Sequence, residues 1–200
     1  AIFTAASEAF AHKNINASIA ESFERFKPII VRAKQDGIAV RGYVSTVLGC
    51  PYQGKVSIDD VASISKRLYE LGCYEISLGD TIGVGTAKAA RKMVLAVAQH
   101  VPMANLAVHF HDTYSQALAN VITCIESGIR TVDASVSGTG GCPYAKGASG
   151  NLATEDLVFA LNGMNFATGI NLDKLADTGA WLSHLLGHAS QSKTNRALRL

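Results

Sequence analysis

Two histidines separated by one residue have the spacing that points most directly to chemistry in this sequence. His109 and His111 lie in residues 106–113 (LAVHFHDT), where small and apolar residues precede them and a helix-start signal follows. In a β-strand, residues i and i+2 point to the same face, so the two imidazoles could bind one divalent cation while Phe110 packs on the other face. The alternative is a pair of hydrogen-bonded histidines near a strand end, without a metal.

A glycine-rich loop, residues 137–151 (SGTGGCPYAKGASGN), is the most unusual segment of the chain. Its five glycines permit backbone angles that other residues avoid and allow the close approach to a ligand that a lid requires. Cys142 on such a lid could be placed over a substrate as an acid; the alternative is a plain connection with a packed cysteine. Asn151 ends the loop, where it could cap the next helix or offer its amide oxygen to a metal, and its spacing favours the cap.

A carboxylate and a second cysteine are candidates of less specific character. Asp80 follows a predicted strand and precedes residues 83–85 (GVG), so it could act on a substrate proton, or it could be a turn residue at a helix start. Cys50 lies in the first of two Gly-Cys-Pro-Tyr runs, which we interpret as two similar turns rather than two reactive thiols. Cys73 and Cys124 are predicted core residues.

Strands and helices that alternate along the chain must position these groups. Ser18 and Glu21 form a capping-box pattern at the start of one helix, and residues 8–17 are predicted to be a polar loop. The predicted strands are residues 1–7, 38–47, 74–78, the His-x-His segment and 131–136, and the predicted helices are residues 19–35, 57–71, 86–99, 114–126, 154–161 and 172–186. Alternation with a period of roughly 30 residues is typical of parallel βαβ units.

The polar motifs follow the carboxyl ends of several consecutive strands, which decides between two α/β architectures. A (β/α)8 TIM barrel builds its site from all of its βα loops, whereas a doubly wound sheet concentrates its site at one switch point. We therefore predict a single catalytic domain over residues 1–200 that contains the last five βα units of a (β/α)8 barrel and a C-terminal helix. Five strands cannot close a barrel, so the first three strands are absent and we expect a longer protein.

The composition excludes some classes of function. The chain has 200 residues, of which 48% are hydrophobic, and its 18 basic and 16 acidic side chains give a formal charge of +2. This balance offers no broad basic surface for nucleic acid, and no apolar run is long enough to span a bilayer. No signal peptide is found, although the chain opens at Ala1 without an initiator Met. Four cysteines without C-x-x-C spacing indicate free thiols in a reducing compartment.

Residues 135–144 (SVSGTGGCPY) resemble the cysteine-loop signature of the hydroxymethylglutaryl-CoA lyase family. The resemblance covers essentially the whole chain and departs from the usual pattern at Ser137 and Thr139, where Ala and Leu are common. Further matching segments are residues 40–45 (VRGYVS), 49–52 (GCPY), 73–85 (CYEISLGDTIGVG), 108–114 (VHFHDTY) and 147–156 (GASGNLATED).

The resemblance implies a metal-dependent (β/α)8 lyase that splits 3-hydroxy-3-methylglutaryl-CoA into acetyl-CoA and acetoacetate, a step of leucine breakdown and ketone-body formation. It implies Mg²⁺ or Mn²⁺ as cofactor, a small acyl-CoA substrate, a homodimer, and no nucleic-acid or membrane partner. Carried over by position, it implies metal ligands at His109, His111 and Asn151, a loop thiol at Cys142, an acidic catalytic residue at Asp80 and a group near the acyl moiety at Ser77.

The family's remaining essential residues have no counterpart in this sequence. They are an Arg-Asp pair after its first strand, whose Asp also binds the metal, and a Glu after its second strand; without them this chain alone would bind metal poorly. Two alternatives stay open: a relative on the same barrel that runs a Claisen condensation, such as an isopropylmalate- or homocitrate-synthase-like enzyme, and a non-catalytic half-barrel remnant. We expect a bacterial cytoplasmic protein, with the mitochondrial matrix as the alternative compartment.

Overall fold

The computed structural model of the protein describes residues 1–141 and 150–199, and within them five β-strands form one parallel sheet. The strands are β1 (Ile2–Ala5), β2 (Arg41–Ser45), β3 (Glu75–Asp80), β4 (Leu106–Phe110) and β5 (Thr131–Asp133). The helices in the same ranges are α1 (Glu8–Ile15), α2 (Ile19–Gln35), α3 (Ile58–Leu71), α4 (Ala87–Val97), α5 (Ala117–Glu126), α6 (Thr154–Gly163), α7 (Leu172–Leu186) and α8 (Lys193–Arg199).

The strand order identifies how the sheet is wound. The strands are hydrogen-bonded in the order β1-β2-β3-β4-β5, and every neighbouring pair is parallel. The winding therefore never reverses, whereas a doubly wound sheet has a switch point where it does. This order excludes the doubly wound alternative and is that of successive strands in a (β/α)8 barrel.

The two faces of the sheet differ in chemistry because successive strand residues point to opposite sides. One face packs against the helices and supplies the main apolar core, in which Leu78 and Phe110 have no exposed surface. The other face is polar and carries Arg41, Ser77 and His109, which interact with one another through Asp133. The face toward the helices therefore supplies most of the apolar packing that stabilises the fold, and the opposite face carries the polar side chains that could take part in chemistry.

Helix α2 begins as the sequence predicts. The Glu21 backbone N–H donates to Ser18 Oγ at 3.1 Å, and the Ser18 backbone N–H donates to Glu21 Oε2 at 2.7 Å, so both halves of the capping box are present. The next helix, α3, ends at Gly72, which adopts φ 114°, a left-handed conformation that favours glycine.

Three features of the helices differ from the predictions. Residues 8–17 are not a loop, because Ser7 caps α1 by accepting from the Phe10 backbone N–H, and a helix of 8 residues shows too little periodicity to be recognised. Helix α5 begins at Ala117, not at residue 114, since the Asp112 carboxylate accepts from the Ala117 N–H at 2.9 Å. Helix α8 was not predicted.

The described residues contain no helix that is both long and apolar enough to cross a lipid bilayer. Within the same residues, the cysteines Cys50, Cys73 and Cys124 are buried and unpaired. Burial raises the pKa of Cys73 to about 11 and that of Cys124 to about 12, so both thiols stay protonated at neutral pH. The prediction that Cys73 and Cys124 are core residues is confirmed.

Gly179 of α7 lies against Ser137, at the start of the glycine-rich loop. A Cβ atom there would overlap the Glu155 carboxylate and lie 2.6 Å from Asn195 Nδ2 and 2.8 Å from Ser137 Oγ. We expect Gly179→Ala to lower the free energy of unfolding by about 1–3 kcal/mol, since overpacking a rigid site outweighs the higher helix propensity of alanine. Urea denaturation measures this change.

The matched control for Gly179→Ala is Gly163→Ala, a glycine at the end of α6 that has no atom within 4 Å of its added Cβ. This control is expected to be neutral or to stabilise the protein by up to about 1 kcal/mol. Equal stability of the two variants would contradict the crowding around Gly179.

Candidate functional site

A cavity of about 340 Å³ opens at the carboxyl ends of the strands, on the polar face of the sheet. Such ends are where (β/α)8 barrels build their sites. Phe3 and Tyr43 form one wall, with ring centroids 4.4 Å apart and planes at 14°. The rest of the lining includes Thr81, His109, His111 and Gly141.

The structure brings the two predicted histidines to this cavity. Their ring centroids are 5.8 Å apart, and Phe110 between them is fully buried on the helix side, as predicted. The His111 side chain is almost entirely buried and its Nδ1 atom has no hydrogen-bond partner. Burial and the neighbouring His109 lower the pKa of His111 to about 4, so its imidazole is neutral at physiological pH and keeps a lone pair available.

Asn151 is joined to the second histidine through its backbone. An antiparallel bridge pairs its backbone with that of His111, although the two are 40 positions apart in the sequence. Its Nδ2 donates to the Thr139 carbonyl at 2.9 Å, and its Oδ1 is buried without a partner. The expectation that Asn151 caps the next helix is wrong: Ala153 is the N-cap of α6, and no side chain caps that end.

The unpartnered atoms of His111 and Asn151 are of types that a divalent cation takes as ligands. His111 Nδ1 and Asn151 Oδ1 are buried acceptors that nothing in the described protein satisfies, and native proteins rarely leave such atoms unpaired. Among the described residues no three His, Cys, Asp or Glu side chains cluster as a complete cation site. The set of two imidazoles and one amide is therefore partial, and it fits Mg²⁺ or Mn²⁺ better than a closed zinc site.

Asp80 does not reach the cavity with its carboxylate. Its strand position pairs with Phe110, so its side chain points to the helix side, where it is fully buried. Oδ2 accepts from the Gly85 N–H at 2.8 Å, and the backbone carbonyl of Asp80 accepts from the His111 N–H at 3.2 Å. Burial raises the pKa of Asp80 to about 6 despite backbone hydrogen bonds from residues 83–85.

Of the remaining predicted site residues, Ser77 lies on the polar face of the sheet and Cys142 lies outside the described residues. Ser77 lies on the polar face of β3, buried, and its hydroxyl donates to Asp133 Oδ2 at 2.8 Å. Gly141, the residue immediately before Cys142, lines the cavity.

Sequence reasoning missed a charged network beneath the histidines. Asp133 accepts from Arg41 at 2.9 Å, and Arg41 also donates to Glu75 at 2.6 Å and to the Tyr43 hydroxyl. Burial raises the pKa of Asp133, but hydrogen bonds from His109 and Ser77 and the Arg41 charge outweigh it and lower that pKa. The available signal was a charged residue at the start of β2 (Arg41), at the start of β3 (Glu75) and at the end of β5 (Asp133).

A second cavity, of about 390 Å³, lies between α5, β5 and α6. It is lined mostly by apolar side chains, and Arg130 is the charged residue among its described lining. It contains none of the predicted site residues, so we place the candidate site at the strand ends.

Comparison with known proteins identifies the same family over nearly the whole chain. A family model described as HMGL-like matches residues 1–182. A mitochondrial hydroxymethylglutaryl-CoA lyase of Bos taurus is 58% identical over 197 residues, which is 98% of this chain and 61% of that protein. A cytoplasmic 3-hydroxy-3-methylglutaryl-CoA lyase of Danio rerio is 53% identical and covers 100% of this chain and 59% of its own length.

Solved structures agree with these sequence relatives. A hydroxymethylglutaryl-CoA lyase of Pseudomonas aeruginosa superposes with a TM-score of 0.95 at 52% identity, over 98% of this chain and 65% of that chain. An HMG-CoA lyase of Acinetobacter baumannii, solved with coenzyme A and 3-methylmalate, superposes with a TM-score of 0.93 at 36% identity, over 98% of this chain and 64% of that chain.

The chain thus spans about 61% of the length of the bovine relative. The predicted resemblance to hydroxymethylglutaryl-CoA lyases and the predicted partial (β/α)8 barrel are confirmed. Since a family model matches residues 1–182 and relatives are more than half identical, the chain belongs to the HMGL-like family.

Proposed function

We propose that this chain is the larger part of a metal-dependent lyase that cleaves 3-hydroxy-3-methylglutaryl-CoA to acetyl-CoA and acetoacetate. The names of its relatives support the reaction. The observation that carries the proposal is the backbone bridge between His111 and Asn151: His111 Nδ1 and Asn151 Oδ1 are buried without hydrogen-bond partners, and His109 lies next to His111 at the cavity.

His109, His111 and Asn151 would hold Mg²⁺ or Mn²⁺ in this proposal. When bound, the cation supplies Lewis-acid stabilisation of negative charge that develops on substrate oxygen. The residues themselves contribute orientation: the bridge between His111 and Asn151 fixes their spacing, and the hydrogen bond to Thr139 directs the amide nitrogen away and leaves the oxygen free.

The reaction itself needs two proton movements. The tertiary hydroxyl of the substrate loses its proton as the carbon–carbon bond breaks, and the bonding electrons leave with the thioester fragment as an enolate, which must be protonated to give acetyl-CoA. We assign that protonation to Cys142, because a thiol with a pKa near 8.5 can donate a proton and a glycine-rich lid can exclude water. The assignment rests on sequence.

The contacts of Asp80 support a positioning role. Its carboxylate holds the Gly85 N–H and its carbonyl holds the His111 N–H, so it ties the turn after β3 to the second histidine. A part for Asp80 in moving the hydroxyl proton stays a prediction, and Ser77, on the polar face of β3, is proposed to lie near the acyl group.

Further proposals concern the whole protein. A single continuous sheet with its main core on one side supports one catalytic domain over residues 1–200. The unpaired cysteines of the described residues support a reducing compartment; we favour a bacterial cytoplasm over the mitochondrial matrix. The family resemblance supports a homodimer, for which light scattering on the natural full-length protein is the test.

The proposed function predicts metal-dependent release of acetoacetate by the full-length protein. Treatment with a chelator should lower the cleavage rate about 100-fold or more, and added Mg²⁺ or Mn²⁺ should restore it, because the lost electrostatic stabilisation amounts to several kcal/mol. Acetoacetate formation from 3-hydroxy-3-methylglutaryl-CoA is measured with and without metal. Metal-independent cleavage would contradict the mechanism.

Two cysteine variants test the role of the loop thiol, and two activity measurements separate this lyase from its alternatives. Cys142→Ala should stop cleavage, whereas Cys124→Ala, a buried cysteine of α5, should affect stability and leave turnover per folded molecule unchanged. Condensation of acetyl-CoA with a 2-oxo acid, with no cleavage, would favour the synthase-like relative. No turnover with either substrate set by the folded full-length protein would favour the non-catalytic remnant.

A further inference from the structure

One carboxylate oxygen of Asp133, the last residue of β5, accepts three hydrogen bonds. Its Oδ2 accepts from Ser77 Oγ at 2.8 Å, from Arg41 Nη1 at 2.9 Å and from His109 Nδ1 at 3.3 Å. The sheet register places Asp133 directly beside His109 on the neighbouring strand. The contact to the imidazole is therefore built into the pairing of β4 with β5 and does not depend on a loop.

The contact determines which nitrogen of His109 carries hydrogen. An ionised carboxylate only accepts hydrogen bonds, so Nδ1 must be the donor. In a neutral imidazole the other nitrogen, Nε2, then has the free lone pair. A carboxylate behind a histidine is a common way to fix the tautomer and ring orientation of a metal-binding imidazole.

We propose that Asp133 is a positioning residue that holds His109 in the Nδ1–H tautomer, so that Nε2 is the atom offered to the cation. The inference rests on the proposed metal-dependent function. Asp133 acts through the imidazole, because its Oδ2 is engaged by His109 together with Ser77 and Arg41.

Arg41 keeps this arrangement in place. Its guanidinium is mostly buried and bridges two carboxylates, with Nε 2.6 Å from Glu75 Oε1 and Nη1 2.9 Å from Asp133 Oδ2. The bridge connects β2, β3 and β5, and it stabilises the ionised form of Asp133 that the histidine contact requires. Removing Glu75 would weaken the bridge without touching the imidazole.

The tautomer can be measured without metal or turnover. Long-range ¹H–¹⁵N spectra of the metal-free full-length protein, labelled with ¹⁵N-histidine, distinguish Nδ1–H from Nε2–H at about pH 8, above the ordinary histidine pKa of about 6.5. His109→Gln assigns the signal among the 6 histidines of this sequence. We expect the Nδ1–H form for His109. A predominant Nε2–H form would overturn the proposal.

Metal affinity supplies the second measurement. Asp133→Asn keeps the side-chain shape, removes the charge, and should weaken Mn²⁺ binding about 10- to 100-fold in calorimetric titrations. Glu75 belongs to the same network and is at least as buried as Asp133, but it does not contact His109, so Glu75→Gln should weaken Mn²⁺ binding less than about threefold. Equal effects of the two variants would overturn the proposal.

A double variant protects the test against a general loss of structure. In a His109→Ala background, Asp133→Asn should cause no further loss of Mn²⁺ affinity, because its only route to the cation is gone; an undiminished loss would contradict the role. Failure of the proposed function has a different signature. The unaltered protein would then bind no Mn²⁺ and cleave no substrate, even with His109 in the Nδ1–H form.

Discussion

His111→Ala is expected to lower both Mn²⁺ affinity and the rate of acetoacetate release by about 10³-fold or more. The side chain is buried at the cavity, its Nδ1 has no hydrogen-bond partner, and alanine offers nothing in its place. Loss of the cation removes several kcal/mol of charge stabilisation from the reaction, and each 1.4 kcal/mol is about tenfold in rate. Calorimetric titration and a coupled acetoacetate assay measure the two quantities.

The matched control is His100→Ala, which removes an exposed histidine just beyond the end of α4. That change should leave affinity and turnover within about twofold, since exposed substitutions away from special features are usually near neutral. If His111→Ala bound Mn²⁺ as tightly as His100→Ala, the metal-binding role of the second histidine would be disproved.

Phe110→Ala should lower the free energy of unfolding by about 3–5 kcal/mol. The ring has no exposed surface and belongs to the apolar core between the sheet and the helices, so its removal leaves a cavity that the rigid sheet fills poorly. For a domain whose stability is about 5–15 kcal/mol this is a large fraction. Because the backbone carbonyl of Phe110 accepts from Leu152 N–H at 3.1 Å, residues 151–153, which follow the glycine-rich loop, should loosen as well.

Phe159→Ala is the control of equal chemical size, because that ring on α6 is mostly exposed. Its effect on stability should stay within about 0.5 kcal/mol in urea denaturation. A loss below about 1 kcal/mol for Phe110→Ala would show that the core tolerates the missing ring, and would contradict the assignment of stability to the helix side of the sheet.

Local patterns predicted most of the fold. The Ser18 and Glu21 capping box, the five strands and the buried position of Phe110 follow from interactions within a few residues or from strand alternation. Helix α8 was missed because its start depends on a distant residue: Asp156 on α6 accepts from Ser192 Oγ and from the Thr194 N–H, both at 2.8 Å. No short sequence window contains that contact.

The candidate site was predicted in part for the same reason. His109 and His111 share a cavity because they are two positions apart in an extended segment, and this spacing is visible in the sequence. The face of the sheet to which the Asp80 side chain points could also be predicted from the sequence. Ser77 is three positions before Asp80, and strand residues an odd number of positions apart point to opposite faces. Asp133 was not foreseen, because its contact with His109 depends on the register between two strands.

The alternation of the two sheet faces separates the positions that govern folding from those that govern chemistry. The strand residues of the main apolar core have even numbers, such as Leu78 and Phe110, whereas Phe3 and Tyr43, which form the cavity wall, have odd numbers. Randomising the odd positions 3, 43 and 45 in a directed-evolution library should therefore redirect substrate selectivity while most members still fold.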